Sequence, residues 1–245
     1  MLGTVLNSAA VLAGTAVGVA VGGRFPERLR ATVIDVLGLF VAVLGIANAL
    51  ETFGPELAAV AGRGAALLVL GSLLVGGALG ELADLDGRLA RLGDRLQERV
   101  AARRGSTGDG TTGQRIGEGF VVASLVFCVG PLAVLGPLQN GVEGSIELLA
   151  VKSALDGVTS IAFASALGLG VGLSVVPLLA WQGGIAVLGG TLGTALSEPM
   201  ISAMNAVGGV LVLAIALRLL RVREIRVANL LPALVLAPLA VALWP

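Results

Sequence analysis

Histidine is absent from these 245 residues, and Cys128 is the lone cysteine. The first absence removes the commonest metal ligand and the side chain that ordinarily titrates near neutral pH. The second forbids an intramolecular disulfide and any thiolate cluster for zinc or iron and sulfur. Tyrosine is missing too, and six phenylalanines with two tryptophans are too few for the aromatic girdles of a transmembrane barrel. No phosphate loop, dinucleotide fingerprint or metal-ligand spacing occurs. Ser124, Ser153 and Ser160 near Lys152 have no diagnostic Ser-Lys spacing. The chain therefore reads as a non-enzyme without cofactor or resident metal, and its 16 basic and 16 acidic residues give no basic excess for nucleic acid.

Charge is scarce at 13%, whereas hydrophobic residues make up 56% and mean hydropathy is +0.97. Those values belong to an integral membrane protein. A helix needs roughly 20 apolar residues to cross hydrocarbon, and such runs recur along the chain. The expected fold is all-α and polytopic, with about eight transmembrane helices near 2–22, 31–50, 64–80, 116–138, 146–172, 174–196, 201–220 and 227–243. The first segment lacks a basic flank before it and reads as retained rather than cleaved.

Lysine and arginine in short loops collect on the cytoplasmic side. Eight spans place 14 of 16 basic residues inside and leave Arg63 and Lys152. Making the fourth segment re-entrant gives 11 against 5, a poorer fit. The rule does not exclude both middle segments being re-entrant. The expected location is the cytoplasmic membrane, with both termini outside the cytoplasm and the lipid bilayer as the first partner.

Four units follow inside one membrane domain: a three-helix unit at 1–80, a cytoplasmic piece at 81–115, central polar helices at 116–172 and a second three-helix unit at 173–245. In the cytoplasmic piece Leu82, Leu85, Leu89, Leu92, Leu96 and Val100 recur at helical spacing beside Arg88, Arg91, Arg95 and Arg99. That amphipathic helix suits an anionic leaflet, a partner helix or the protein's own cytoplasmic face. The GSTGDGTTG run at 105–113 reads as a linker.

AVLAGT at 10–15 returns as AVLGGT at 186–191, and 34–50 pairs weakly with 204–220, aligning Gly38 with Gly208. Five spans separate the copies, so they would sit upside down relative to each other. Inverted repeats recur in transporters, with the site near midplane beside broken helices. Small-residue faces such as Ala10, Gly14, Gly18 and Gly22 suit close packing within one chain or between copies of a homo-oligomer.

The chemistry-bearing residues cluster between Phe120 and Gly184. Lys152 and Asp156 share a helical face four residues apart. Entering from outside near Ile146, Asp156 is about 15 Å deep, near the middle of the core, whereas Lys152 is shallower and could snorkel. Asp156 reads either as a cation or proton ligand with Lys152 as its resting counter-ion, or as half of a structural pair. Gly130 and Pro131 interrupt the fourth segment, and Pro131 frees the carbonyl of Phe127. That break either presents carbonyls to a solute or is a tolerated kink. Gln182 serves either as glue between helices or in solute recognition, and Ser160 lies one turn beyond Asp156.

SLVFCVGPLAVLGPLQNG, KSALDGVTSIAFASALGLGVGLS, WQGG after Pro177 and NLLPAL near the C-terminus together resemble a bacterial membrane-protein family known as domain of unknown function 554. The resemblance covers nearly the whole chain and implies a polytopic, membrane-embedded fold, with no activity to carry over. Its pattern matches Phe127, Cys128, Gly130, Pro131, Lys152, Asp156, Gly157, Gln182, Asn229 and Pro232. The expected function is a small transporter or channel for an ion or small solute, acting through Asp156. The alternative is a non-transporting scaffold that docks a partner through the basic helix.

Overall fold

The computed structural model describes residues 2–24, 26–88, 91, 110–129, 132–142, 144–187 and 197–244. Eleven α-helices order these residues: α1 (Leu2–Gly22), α2 (Glu27–Ala49), α3 (Pro55–Ala61), α4 (Ala65–Leu82), α5 (Gly110–Cys128), α6 (Leu132–Val142), α7 (Glu147–Leu167), α8 (Gly170–Leu173), α9 (Val175–Val187), α10 (Glu198–Leu219) and α11 (Ala233–Ala242). Among the described residues there is no strand. Hydrocarbon offers backbone groups no water, so these apolar runs satisfy their amides internally as helices despite many glycines.

Five stretches are long and apolar enough to cross a membrane: Leu2–Gly22, Ala31–Leu82, Glu147–Leu167, Gly170–Val187 and Glu198–Leu219. The bent pair Ile116–Cys128 and Leu132–Val142, meeting at 60°, makes a sixth. This measure stops short of the expected eight for two reasons. Ala31–Leu82 is one apolar stretch that folds as α2, a 3-10 turn, α3, another turn and α4, and Val227–Ala242 is a shorter apolar helix.

Helix directions can be read from the places where glycines let backbones meet. Gly3 faces Leu149, Gly14 faces Gly157 and Ser160, and Gly22 faces Ser165, so α1 and α7 run parallel. Gly38 faces Leu219 and Leu220 while Gly45 faces Gly209 and Leu213, so α2 and α10 run antiparallel. Gly64 faces Trp244 and Gly76 faces Ala233, which sets α4 antiparallel to α11. The glycine stripes of α1 and α4 thus pack within the chain.

The α5–α6 pair travels the full length of α7. Gly119 faces Leu167 near the end of α7, whereas Gly136 faces Leu149 near its start. Gly141 at the end of α6 then meets Ala186 near the end of α9, so α9 finishes where α1 begins and the two are antiparallel. Gly130 and Pro131, at the junction of α5 and α6, lie outside the described residues, as does most of the expected amphipathic helix. The fifth segment is shorter than expected: α7 stops at Gly168, whose φ of 78° is left-handed, and the short α8 precedes α9.

Candidate functional site

Among the described residues, Lys152 and Asp156 are the only buried charged side chains, 5% and 6% exposed. Both stand on the face of α7 turned toward α1. Lys152 Nζ donates to Asp156 Oδ1 at 3.1 Å and lies 3.0 Å from Oδ2. Of the two directions open to Lys152, a reach for the membrane edge and a pair with Asp156, the structure shows the pair. The four-residue spacing on a continuous helix aims the ammonium at the carboxylate.

Two amides from other helices complete the cluster. Asn7 of α1, fully buried, donates through Nδ2 to Asp156 Oδ2 at 3.0 Å and to Gln182 Oε1 of α9 at 3.3 Å. Gln182 is fully buried as well. Asn7 lies on the α1 face that continues through Val11, Gly14 and Gly18, so the close approach of α1 to α7 brings its amide to the carboxylate. One positive group, one negative group and two amides from three helices form a neutral network. Asn7 Oδ1, Gln182 Nε2 and Thr4 Oγ1 are left without a hydrogen-bond partner.

The remaining expected residues separate from this cluster. The Ser160 hydroxyl donates to the Asp156 carbonyl at 2.6 Å, and Ser153 bonds the Leu149 carbonyl in the same way. Both hydroxyls are thus turned onto their own helix. Phe127 is fully buried with its ring centroid 6.3 Å from that of Phe163, a packing contact between α5 and α7. The carbonyl role expected for Phe127 depends on Pro131, outside the described residues. Asn140 Nδ2 donates to the Ser145 carbonyl and closes the turn between α6 and α7.

Beside the cluster lies a cavity of about 510 Å³, lined by Phe120, Leu125, Cys128, Trp181, Asn205 and Leu234 among others. Its walls are almost wholly apolar. Cys128 connects the two regions, since its thiol lies within electrostatic reach of both Lys152 and Asp156. Asn205, 3% exposed, is the amide on the cavity wall. At the far end of the molecule, Glu81 accepts from Arg226 and from Asn229, which ties the end of α4 to the segment before α11. Among the described residues no three His, Cys, Asp or Glu side chains gather as metal ligands.

Asn7 is the functional candidate that sequence reasoning missed. Its signal was present as three polar residues, Thr4, Asn7 and Ser8, in the first apolar segment, all three buried.

Comparison with known proteins places this arrangement in a family. Residues 2–242 match the family described as protein of unknown function DUF554, and the chain belongs to it. It is 29% identical to an uncharacterised membrane protein, YdfK, of Bacillus subtilis (strain 168), over 98% of this chain and 96% of the relative. It is 30% identical to an uncharacterised protein, YqgA, of Escherichia coli (strain K12), over 100% of this chain and 97% of the relative. No solved structure matches.

Proposed function

We propose that this member of the family is a small transporter of the bacterial cytoplasmic membrane that moves an ion or small solute by exchange at Asp156. One observation carries the reading: a buried Lys152–Asp156 pair held by amides from α1 and α9, with unpartnered amide atoms beside it. A purely structural pair is a poor stabiliser, because desolvating two charges offsets most of their attraction. Intramembrane ionisable groups ordinarily mark a transport or relay site. The ammonium balances the charge of the ionised carboxylate at rest, and an incoming proton or cation competes with it.

Eight crossings with both termini outside are the proposed topology, supported by the alternating helix directions and by the even number of crossings that a parallel α1 and α7 require. The inverted repeat is part of the same proposal. It aligns Ala10 with Ala186, and Asn7 and Gln182 stand three and four residues before these positions on antiparallel helices. Places one residue out of register in the two halves would then each lend one amide to the charged pair. The cavity beside Cys128 offers space for a solute of modest size.

Proteoliposomes loaded with a pH-sensitive dye, under imposed sodium, potassium and proton gradients, test the reading. The parent should move protons or cations down at least one gradient, and Asp156→Asn should not. Equal flux for both proteins would sink the proposal.

A further inference from the structure

We infer that the species exchanged at Asp156 is a proton, and that the Asn7 and Gln182 amides reverse together when it binds. The inference rests on the transport reading for its purpose but on geometry for its mechanism. Asp156 carries an N–H donor on each oxygen: Lys152 Nζ donates to Oδ1 at 3.1 Å and lies 3.0 Å from Oδ2, and Asn7 Nδ2 donates to Oδ2 at 3.0 Å. Donors repel a metal cation. A single carboxylate already neutralised by an ammonium also lacks the several oxygen ligands that hard metal ions require.

The orphaned atoms explain how the same groups serve both protonation states. With Asp156 ionised, the Asn7 amide nitrogen donates to Asp156 and to Gln182 Oε1, leaving Asn7 Oδ1 and Gln182 Nε2 idle. A proton delivered by hydronium, which leaves as water, forms an O–H bond at Asp156 Oδ2, turning an acceptor into a donor. Asn7 then rotates its amide so that Oδ1 accepts from that hydroxyl. Gln182 rotates in turn so that Nε2 donates to the same Oδ1. Each state has two hydrogen bonds along the chain from Asp156 through Asn7 to Gln182, with every polarity inverted between them.

Lys152 retains Asp156 Oδ1 as a neutral acceptor, and the site gains one net positive charge. The titratable groups facing this relay are Lys152 on α7 itself and Cys128 from α5; α1 contributes Asn7 and Thr4, and α9 contributes Gln182, none of which titrates. Protonation of α7 is thereby reported to α9 through α1.

Trp181 adjoins Gln182 and provides the readout. In full-length protein carrying Trp244→Phe, Trp181 is the sole tryptophan. Infrared difference spectra and Trp181 emission are titrated between about pH 3 and pH 11, which spans ordinary carboxyl and ammonium values. A protonated-carboxyl band and an emission step should titrate together, and both should vanish in Asp156→Asn. Asn7→Leu should retain the carboxyl band and lose the emission step, and Gln182→Leu, a second variant should Asn7→Leu fail to fold, should do the same. An emission step that survives in the folded amide variants overturns the relay, as does the absence of any Asp156 band. These signals need no transport, so a working relay without flux removes only the transport reading, and flux without a carboxyl band removes only the proton.

Discussion

Of the helix pairs that meet on glycine among the described residues, α2–α10 and α1–α7 make the clearest contrast, because only the second holds charge in its interior. The α2–α10 pair meets through Gly38, Gly45 and Gly209, with Val41, Leu211 and Ile215 almost fully enclosed around it. The α1–α7 pair meets through Gly14, Gly18 and Gly22 in the same way, yet places Asn7, Lys152 and Asp156 in its interior. Tight association therefore does not require the ion pair. Dispersion between close backbones is available to both pairs, and the charged one carries an added desolvation penalty. The contrast teaches that the charges are present for a reason other than holding helices together.

The sharpest way to break that contrast is to strand one charge. Lys152→Met leaves a buried carboxylate without its counter-ion and should destabilise the protein by about 3–5 kcal/mol, read from unfolding in mixed micelles. Lys152→Met combined with Asp156→Leu should recover most of that loss and make α1–α7 resemble α2–α10. A double variant as unstable as the single one would assign the pair a structural role.

Asn7→Leu removes a donor to an ionised acceptor, and about 1.5–3 kcal/mol should be lost in the same assay. The effect should largely disappear once Asp156 is leucine, because the amide then has no charge to serve. Adding a methyl group tests the shared half of the comparison. A Cβ at Gly45 would fall 2.6 Å from the Leu213 nitrogen, and one at Gly18 2.8 Å from the Ala164 Cβ. Gly45→Ala and Gly18→Ala should each cost about 1–3 kcal/mol, alike in both pairs. A much larger loss at Gly18 would mean that the charged interface depends on its packing in a way the apolar one does not.

The smallest effect is expected outside both interfaces, at the exposed Asp84–Arg91 pair. A hydrogen bond from the Arg91 guanidinium holds the Asp84 carboxyl below its ordinary value of 3.8. A depressed folded-state value contributes stability above the unfolded value and loses it as pH falls through the folded one. Arg91→Ala should raise the Asp84 value toward 3.8 in a carboxyl NMR titration and leave unfolding near neutral pH almost unchanged. A marked loss of stability there would make this surface pair a rival to the buried one.

Much of this contrast was legible in the sequence because charge in hydrocarbon is conspicuous. Lys152, Asp156 and Gln182 stood out for that reason, and charge counting anticipated that α1 and α7 point the same way. Asn7 did not stand out, since its importance depends on a parallel helix contact that sets α1 against α7, and local periodicity carries no such offset. Depth and spacing left Lys152 free to snorkel or to pair with Asp156, and the cover of α1 over the pair is not visible in the sequence. The expected spans leave 51–63 unassigned, and Pro55 at the first turn lets Pro55–Ala61 fold there as a short helix. Span boundaries suffered similarly: the end of α7 depends on Gly168 adopting a positive φ, which composition does not specify.

Proton flux and thermal stability, measured on one preparation of the Lys152→Met, Asp156→Leu double variant in proteoliposomes, test the central claim most directly. A protein that keeps parent-like stability but loses the parent's flux is the expected result, because the pair is dispensable for packing and required for exchange. Flux equal to that of the parent would contradict the account.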